Sequence, residues 1–217
     1  MRLKAIVPLK AVMTASCMLF SCALILGIAV DPAGAQQRRP QQATEGDDDS
    51  GGESPTARVK TSEEIKAAIG EDKNVSIVYN IMLKTSGPDF AAMEKMGEGQ
   101  VLPITMSVPP KLKTDMNLAF GETVIKTENI SKGYPGVYSL WLKKTAAGWS
   151  LVFNGRADVW GTMYDSKADA AEVPLTHETP AQPSDALKVA IEGDSAAKTL
   201  RITWGTHAWS AGFTAQG

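Results

Sequence analysis

"GVYSLWLKK" at residues 136–144 and "WSLVFNG" at 149–155, parted by a turn at Gly148, decide how this chain folds. Trp149, Leu151 and Phe153 recur at every second position, so they share one face of an extended strand, and the two runs read as a hairpin. The same period continues on both sides. Towards the C-terminus, "EVPLTHE" (172–178) is a short strand. "ALKVAIEG" (186–193) alternates Leu187, Val189 and Ile191, and "TLRITWG" (199–205) alternates Leu200, Ile202 and Trp204. "AWSAGFTA" (208–215) sets Trp209, Ala211 and Phe213 on one side. Towards the N-terminus, "TVIKTENI" (123–130), "TDMNLAF" (114–120), "QVLPITMSV" (100–108) and "NVSIVYNIMLK" (74–84) also read as strands.

Roughly eight to ten short strands separated by turn residues predict a mainly β fold, an antiparallel β-sandwich or partly open barrel. No long helical crossovers divide the strands, which disfavours a parallel sheet. One or two short helices are expected near the start of the domain. "TSEEIKAAIG" (61–70) has a capping-box pair in Thr61 and Glu64, with Ile65, Ala68 and Ile69 on one side and Gly70 as the stop. "GPDFAAMEKMGEG" (87–99) places Phe90, Met93 and Met96 on one side of a second helix.

The expected organisation is a signal peptide over 1–35, a disordered low-complexity linker over 36–58, and a single β-sandwich domain over 59–217. Arg2, Lys4 and Lys10 precede an uncharged run from Ala11 to Val30, followed by Asp31-Pro32 and the small-x-small pattern Ala33-Gly34-Ala35. That is the layout of a secretory signal. The alternative is an uncleaved membrane anchor, for which the apolar run is long enough. Both cysteines, Cys17 and Cys22, fall inside this run. The processed chain would therefore have neither disulfides nor a thiol nucleophile. The stretch after it, "QQRRPQQATEGDDDSGGESPTAR", has almost no large apolar residues and reads as a tether.

Of 217 residues, 43% are hydrophobic and 21% charged, with a formal net charge of −2. No basic stripe is evident, so a nucleic-acid partner is not expected. Once the signal is removed, no membrane partner is expected either. No cofactor and no metal site is predicted, since the acidic run Asp47–Asp49 lacks the spacing of a calcium loop.

Several segments resemble a bacterial export family known as "domain of unknown function 2911". They are "GVYSLW" at 136–141, Trp149 with "LVFN" at 151–154, "WGTMYDSKAD" at 160–169, "EVPL" at 172–175 and "LRITWG" at 200–205. The resemblance covers about Gly133 to Phe213 in order and spacing, and extends more weakly back to "VSIVYN". It implies an exported, β-sandwich-like protein and implies no reaction. The family's N-terminal P-x-x-K-G-R and W-R-x-G-A-N-E segments are missing. "IMLKTSGPDFAAMEKMGEG" (81–99) stands in their place.

"NGRADVWGTMYDSKAD" (154–169) is the stretch richest in chemistry. A structural account has Asn154-Gly155 making a turn, Trp160 and Tyr164 plugging the end of the sheet, and Asp165 and Asp169 bonding nearby amides. A functional account makes Asn154, Trp160, Tyr164, Asp165 and Asp169 a ligand-binding set, with aromatic faces for contact and polar groups for orientation. Calcium held by Asp158, Asp165 and Asp169 is a weaker third.

Hydrolytic chemistry is harder to assemble. His177 and His207 are the two histidines, and no G-x-S-x-G or H-E-x-x-H motif exists. The expected function is a non-enzymatic binding module for an extracytoplasmic glycan or protein. The alternatives are a hydrolase using His177, Glu178 or Asp165, and a structural module of envelope assembly.

Overall fold

The computed structural model describes residues 60–194 and 197–217. The expected signal peptide and linker lie outside the described residues. Within them the chain forms β1 (Ser62–Gly70), β2 (Lys73–Asn80), α1 (Pro88–Glu94), β3 (Lys111–Thr114), β4 (Asn117–Phe120) and β5 (Thr123–Ile125). Then come β6 (Val137–Thr145), β7 (Gly148–Asn154), β8 (Asp169–Glu178), β9 (Ser184–Glu192), β10 (Ala197–Gly205) and β11 (His207–Gln216). A 3₁₀ turn spans Ser166–Ala168.

The strands run β1-β2-β3-β6-β7-β8-β11-β10-β9, with β4 on β11 and β5 on β4, every pairing antiparallel. Strand β8 carries the sheet round a corner. Its first part pairs with β7, and Thr176, His177 and Glu178 then pair with Ser210, Trp209 and Ala208 of β11. The two ends of the order, β1 and β9, come back beside each other. The result is a nearly closed, barrel-like sheet, the partly open barrel of the two architectures expected.

Alternation explains the interior. Tyr138, Leu140 and Leu142 of β6 face inward with Trp149, Leu151 and Phe153 of β7, and they meet Leu200, Ile202 and Trp204 of β10. Phe153 packs between Phe120 and Tyr138, with ring centroids 5.4 and 6.4 Å away. Strand β6 has a second buried face as well, since Ser139 and Trp141 are also shielded from solvent. That is why this strand reads as a nearly unbroken apolar run.

Two expectations are corrected. "TSEEIKAAIG" is β1, not a helix, and Ile65 pairs with Ile77 and Ala67 with Val75. The same letters satisfy two periods. As a strand, Ile65, Ala67 and Ile69 all face the core, and an open sheet edge at β2 overrides local helix preference. "QVLPITMSV" is not a strand, and Val101 makes only an isolated bridge to Lys143. Pro103 removes one donor. The amides on either side diverge, Leu102 donating to the Leu142 carbonyl and Ile104 to the Gly161 carbonyl, so no ladder forms. The predicted helix over "GPDFAAMEKMGEG" is present as the short α1.

Phe153→Ala should cost about 3–5 kcal/mol in urea unfolding, because it deletes a ring from the packed interior. The exposed Val124→Ala should stay within about 0.5 kcal/mol of the parent.

Candidate functional site

The connection between β7 and β8 lies over the outer face of β6 and β7. Its anchor is Asn154, 1% exposed at the end of β7. The Asn154 amide donates to the Asp165 carbonyl at 2.8 Å and to Asp169 Oδ1 at 2.7 Å, and its oxygen accepts from the Arg156 amide at 3.0 Å. The Tyr164 hydroxyl donates to Asp169 Oδ2 at 2.5 Å, and the Tyr164 ring lies 5.2 Å from that of Trp141. The Trp141 indole donates to Ser139 Oγ at 2.8 Å, and the Ser139 hydroxyl in turn donates to the Arg156 carbonyl at 3.0 Å. These contacts seal a small second core around Trp141, Val152 and Ala157. Burial first, then the Asp169 carboxylate, push the Tyr164 phenol well above its ordinary pKa, which keeps it a donor.

The middle of the connection docks elsewhere. Gly161 donates to the Ser107 carbonyl at 3.0 Å and accepts from the Ile104 amide at 2.8 Å. A Cβ at Gly161 would run into the carbonyl oxygens of both residues, so only glycine allows this approach. Asp165 caps the 3₁₀ turn through the Lys167 amide and lies 3.7 Å from Arg156. Asp158 pairs with Lys111 at 3.0 Å. The three aspartates of the calcium alternative are thus engaged with different partners. Among the described residues, no group of three or more His, Cys, Asp or Glu is placed to hold a metal.

Of the five proposed site residues, the structure joins Asn154, Tyr164 and Asp169 in one network, and the Asp165 carbonyl completes it. Trp160 stands apart: 48% exposed, beside Met163 at 51%, with Met106 at 65% and Val108 at 44% flanking the Ser107 to which Gly161 is bonded.

The hydrolase residues are arranged differently. Glu178 pairs with Arg201 at 2.7 Å rather than with its neighbour His177. His177 Nε2 meets His207 Nδ1 at 2.9 Å, and His207 Nε2 meets Glu94 Oε1 at 2.5 Å. His177, His207 and Trp209 stack at 5.1–5.5 Å between centroids, where α1 covers one end of the barrel. Sequence reasoning missed Glu94 and this pairing. The alternation of His207 with Trp209 was visible, but the register that puts Trp209 opposite His177 was not. Desolvation first, then His207 and Lys144, lower the His177 pKa. No serine or threonine hydroxyl bonds either imidazole among the described residues.

Fold and site together define an antiparallel, barrel-like β domain whose outer face is covered by a pinned, aromatic-bearing connection. Residues 114–213 match the family described as a protein of unknown function (DUF2911), so the C-terminal part of the chain carries that family's sequence, as its motifs indicated. The match includes the whole connection and both histidines, whereas α1 and Glu94 precede it. No curated protein and no solved structure matches the chain. Among the described residues, no helix is long and apolar enough to cross a membrane.

Asn154→Ala should destabilise the domain by about 2–3 kcal/mol in urea unfolding, since it removes a buried amide and strands three part-buried partners at once. A second outcome follows from His177. Its folded pKa lies below the ordinary value near ~6.5, so the folded state binds fewer protons than the unfolded state in the window between them. Its contribution is complete above ~6.5 and is lost as pH falls through the folded value. The melting temperature should therefore drop as pH is lowered from neutrality through ~6.5, and His177→Gln should flatten that slope.

Proposed function

We propose that this is an exported binding module that holds an extracytoplasmic protein partner against the surface centred on Trp160. The export step rests on the charge, apolar run and small-x-small pattern of residues 1–35. The observation that carries the binding reading is the exposed Trp160 on a connection fixed at both ends and in the middle. A large aromatic ring held out to solvent by a rigid support is already ordered before binding, which lowers the entropy cost of association.

The chemistry around Trp160 favours protein over glycan. Sugar recognition needs amides and carboxylates turned to solvent, whereas Asn154, Tyr164 and Asp169 direct their polar atoms at one another. What remains outward is apolar: Trp160 and Met163 on the connection itself, and Met106 and Val108 on either side of the Ser107 to which Gly161 is bonded. Trp and Met are enriched at the centres of protein interfaces, and methionine adapts to irregular partner surfaces. A hydrolytic role finds less support, because His177, Glu178 and Asp165 each bond a different partner.

The test is capture from an extracytoplasmic fraction by the purified domain, followed by titration of the captured protein. Trp160→Ala should weaken that binding by about 2–4 kcal/mol with the fold intact by near-ultraviolet dichroism. Exposed apolar control positions elsewhere, Val124→Ala and Tyr134→Ala, should bind as the parent does. Unchanged affinity in Trp160→Ala for every captured protein would remove the proposal, and saturable glycan binding lost in that variant would move it to sugars.

A further inference from the structure

We infer that His177 and His207 form a two-histidine site for a late divalent transition metal, copper(II) above all, independent of the Trp160 surface. They are the two histidines of the chain, and strand register brings them together. Trp209 of β11 lies opposite His177 of β8, and His207 stands two residues before Trp209, diagonal to His177 on the same face. The facing nitrogens, His177 Nε2 and His207 Nδ1, are 2.9 Å apart. Among the described residues, neither of them bonds any other protein group.

The far side of His207 decides which nitrogen is free. A carboxylate only accepts, so Glu94 Oε1, 2.5 Å from His207 Nε2, holds the hydrogen of the neutral ring on Nε2. His207 Nδ1 then carries a lone pair, and the one hydrogen in the gap belongs to His177 Nε2. A carboxylate bonded to the outer nitrogen is the device that orients histidine ligands in metal sites and raises their basicity. When a metal enters, the His177 hydrogen moves from Nε2 to Nδ1 by exchange with water. Both facing nitrogens then present lone pairs, and no net proton is released. Ligands at right angles, each about 2.0–2.1 Å from a metal, stand about 2.9 Å from one another. The observed spacing therefore suits neighbouring corners of a tetragonal complex, the geometry of copper(II) and nickel(II) with nitrogen ligands, better than the wider tetrahedral angle of zinc.

The surroundings hold the rings and leave them accessible. Both imidazoles lie against Trp209, nearly parallel to it, with centroids 5.5 and 5.4 Å away. His177 is exposed and His207 partly so, which lets the ion and its waters arrive without opening the core. Because Glu94 is turned to the outer nitrogen of His207, the protein supplies two ligands and water fills the remaining positions. The nearby charges nearly cancel. Glu178 is paired with Arg201 at 2.7 Å, Glu94 favours a cation, and Lys144, held over the Trp149 ring at 4.4 Å, opposes one. Retention thus rests on affinity for imidazole nitrogen, which copper(II) has and a hard ion such as magnesium lacks.

The probes are the chlorides of copper(II), nickel(II), zinc(II) and magnesium, titrated near neutral pH into the untagged, chelator-treated chain. Copper should quench tryptophan fluorescence saturably, because Trp209 lies in contact with both ligands. Nickel and zinc should relieve that quenching only in excess, and magnesium should not relieve it. His177→Gln and His207→Gln should each weaken copper binding at least about tenfold. Electron spin-echo spectra of the bound copper should report two coordinated imidazoles in the parent and one in either variant; if one variant does not fold, the other decides. Glu94→Gln, a change at a positioning residue, should weaken copper by about tenfold to a hundredfold with both imidazoles still coordinated. Trp160→Ala should bind copper as the parent does, which separates this site from the protein-binding surface. Equal copper affinity in the parent and the histidine variants, a bound-copper spectrum without imidazole, or displacement of copper by magnesium would overturn the assignment.

Discussion

One buried amide, that of Asn154, holds this architecture to its surface. A barrel of short strands has an interior that apolar alternation fills without assistance. The outer face of β6 is another matter, because it carries Trp141, an indole whose N–H must find a partner when covered. The chain covers it with the residues after Asn154, and the cover stays in place because amide, carboxylate, phenol and hydroxyl groups complete one another's bonds. Residues 60–217 contain no cysteine, so no covalent tie contributes to this arrangement. Such networks are stable when every member is satisfied and weak when one is removed.

That completeness has a consequence for recognition. Polar groups spent on holding the connection down are not offered to a ligand, and the large apolar side chains that the connection turns to solvent are Trp160 and Met163. Beside α1 the packing is of another kind. There the helix is short and is fixed by Asp89, by the Phe90–Trp204 edge contact and by the Glu94–His207 bond. These contacts leave a hollow beside the helix, walled by Met82, Leu83, Pro88 and Met106.

Much of this was readable in the letters. The hairpin of β6 and β7 was legible because Trp149, Leu151 and Phe153 keep strict alternation on either side of a glycine turn. The strands from β8 to β11 were legible for the same reason. β1 was not, because Ile65 and Ile69 fit both a helix of period 3.6 and a strand of period two, and the capping-box pair Thr61–Glu64 favoured the former; only the neighbouring edge of β2 decides between them. The region 154–169 was recognisable as chemically dense, and Asp165 does accept from an amide ahead of it, that of Lys167, whereas Asn154 ends β7 and bonds through its side chain instead of opening a positive-φ turn at Gly155. What stayed hidden depends on long-range register. The meeting of His177, His207 and Glu94 requires β8, β11 and α1 to be in place, and no local pattern encodes that.

The central claim is that the connection from Gly155 to Ala168 is part of the folded unit rather than a mobile cover. Native-state hydrogen exchange tests it most directly, because the Gly155, Arg156, Gly161 and Ala168 amides each donate to a defined acceptor. The account predicts that these four exchange as slowly as the amides of β7, through opening of the whole domain. Exchange at the rate of an open loop, with β7 still protected, would contradict it.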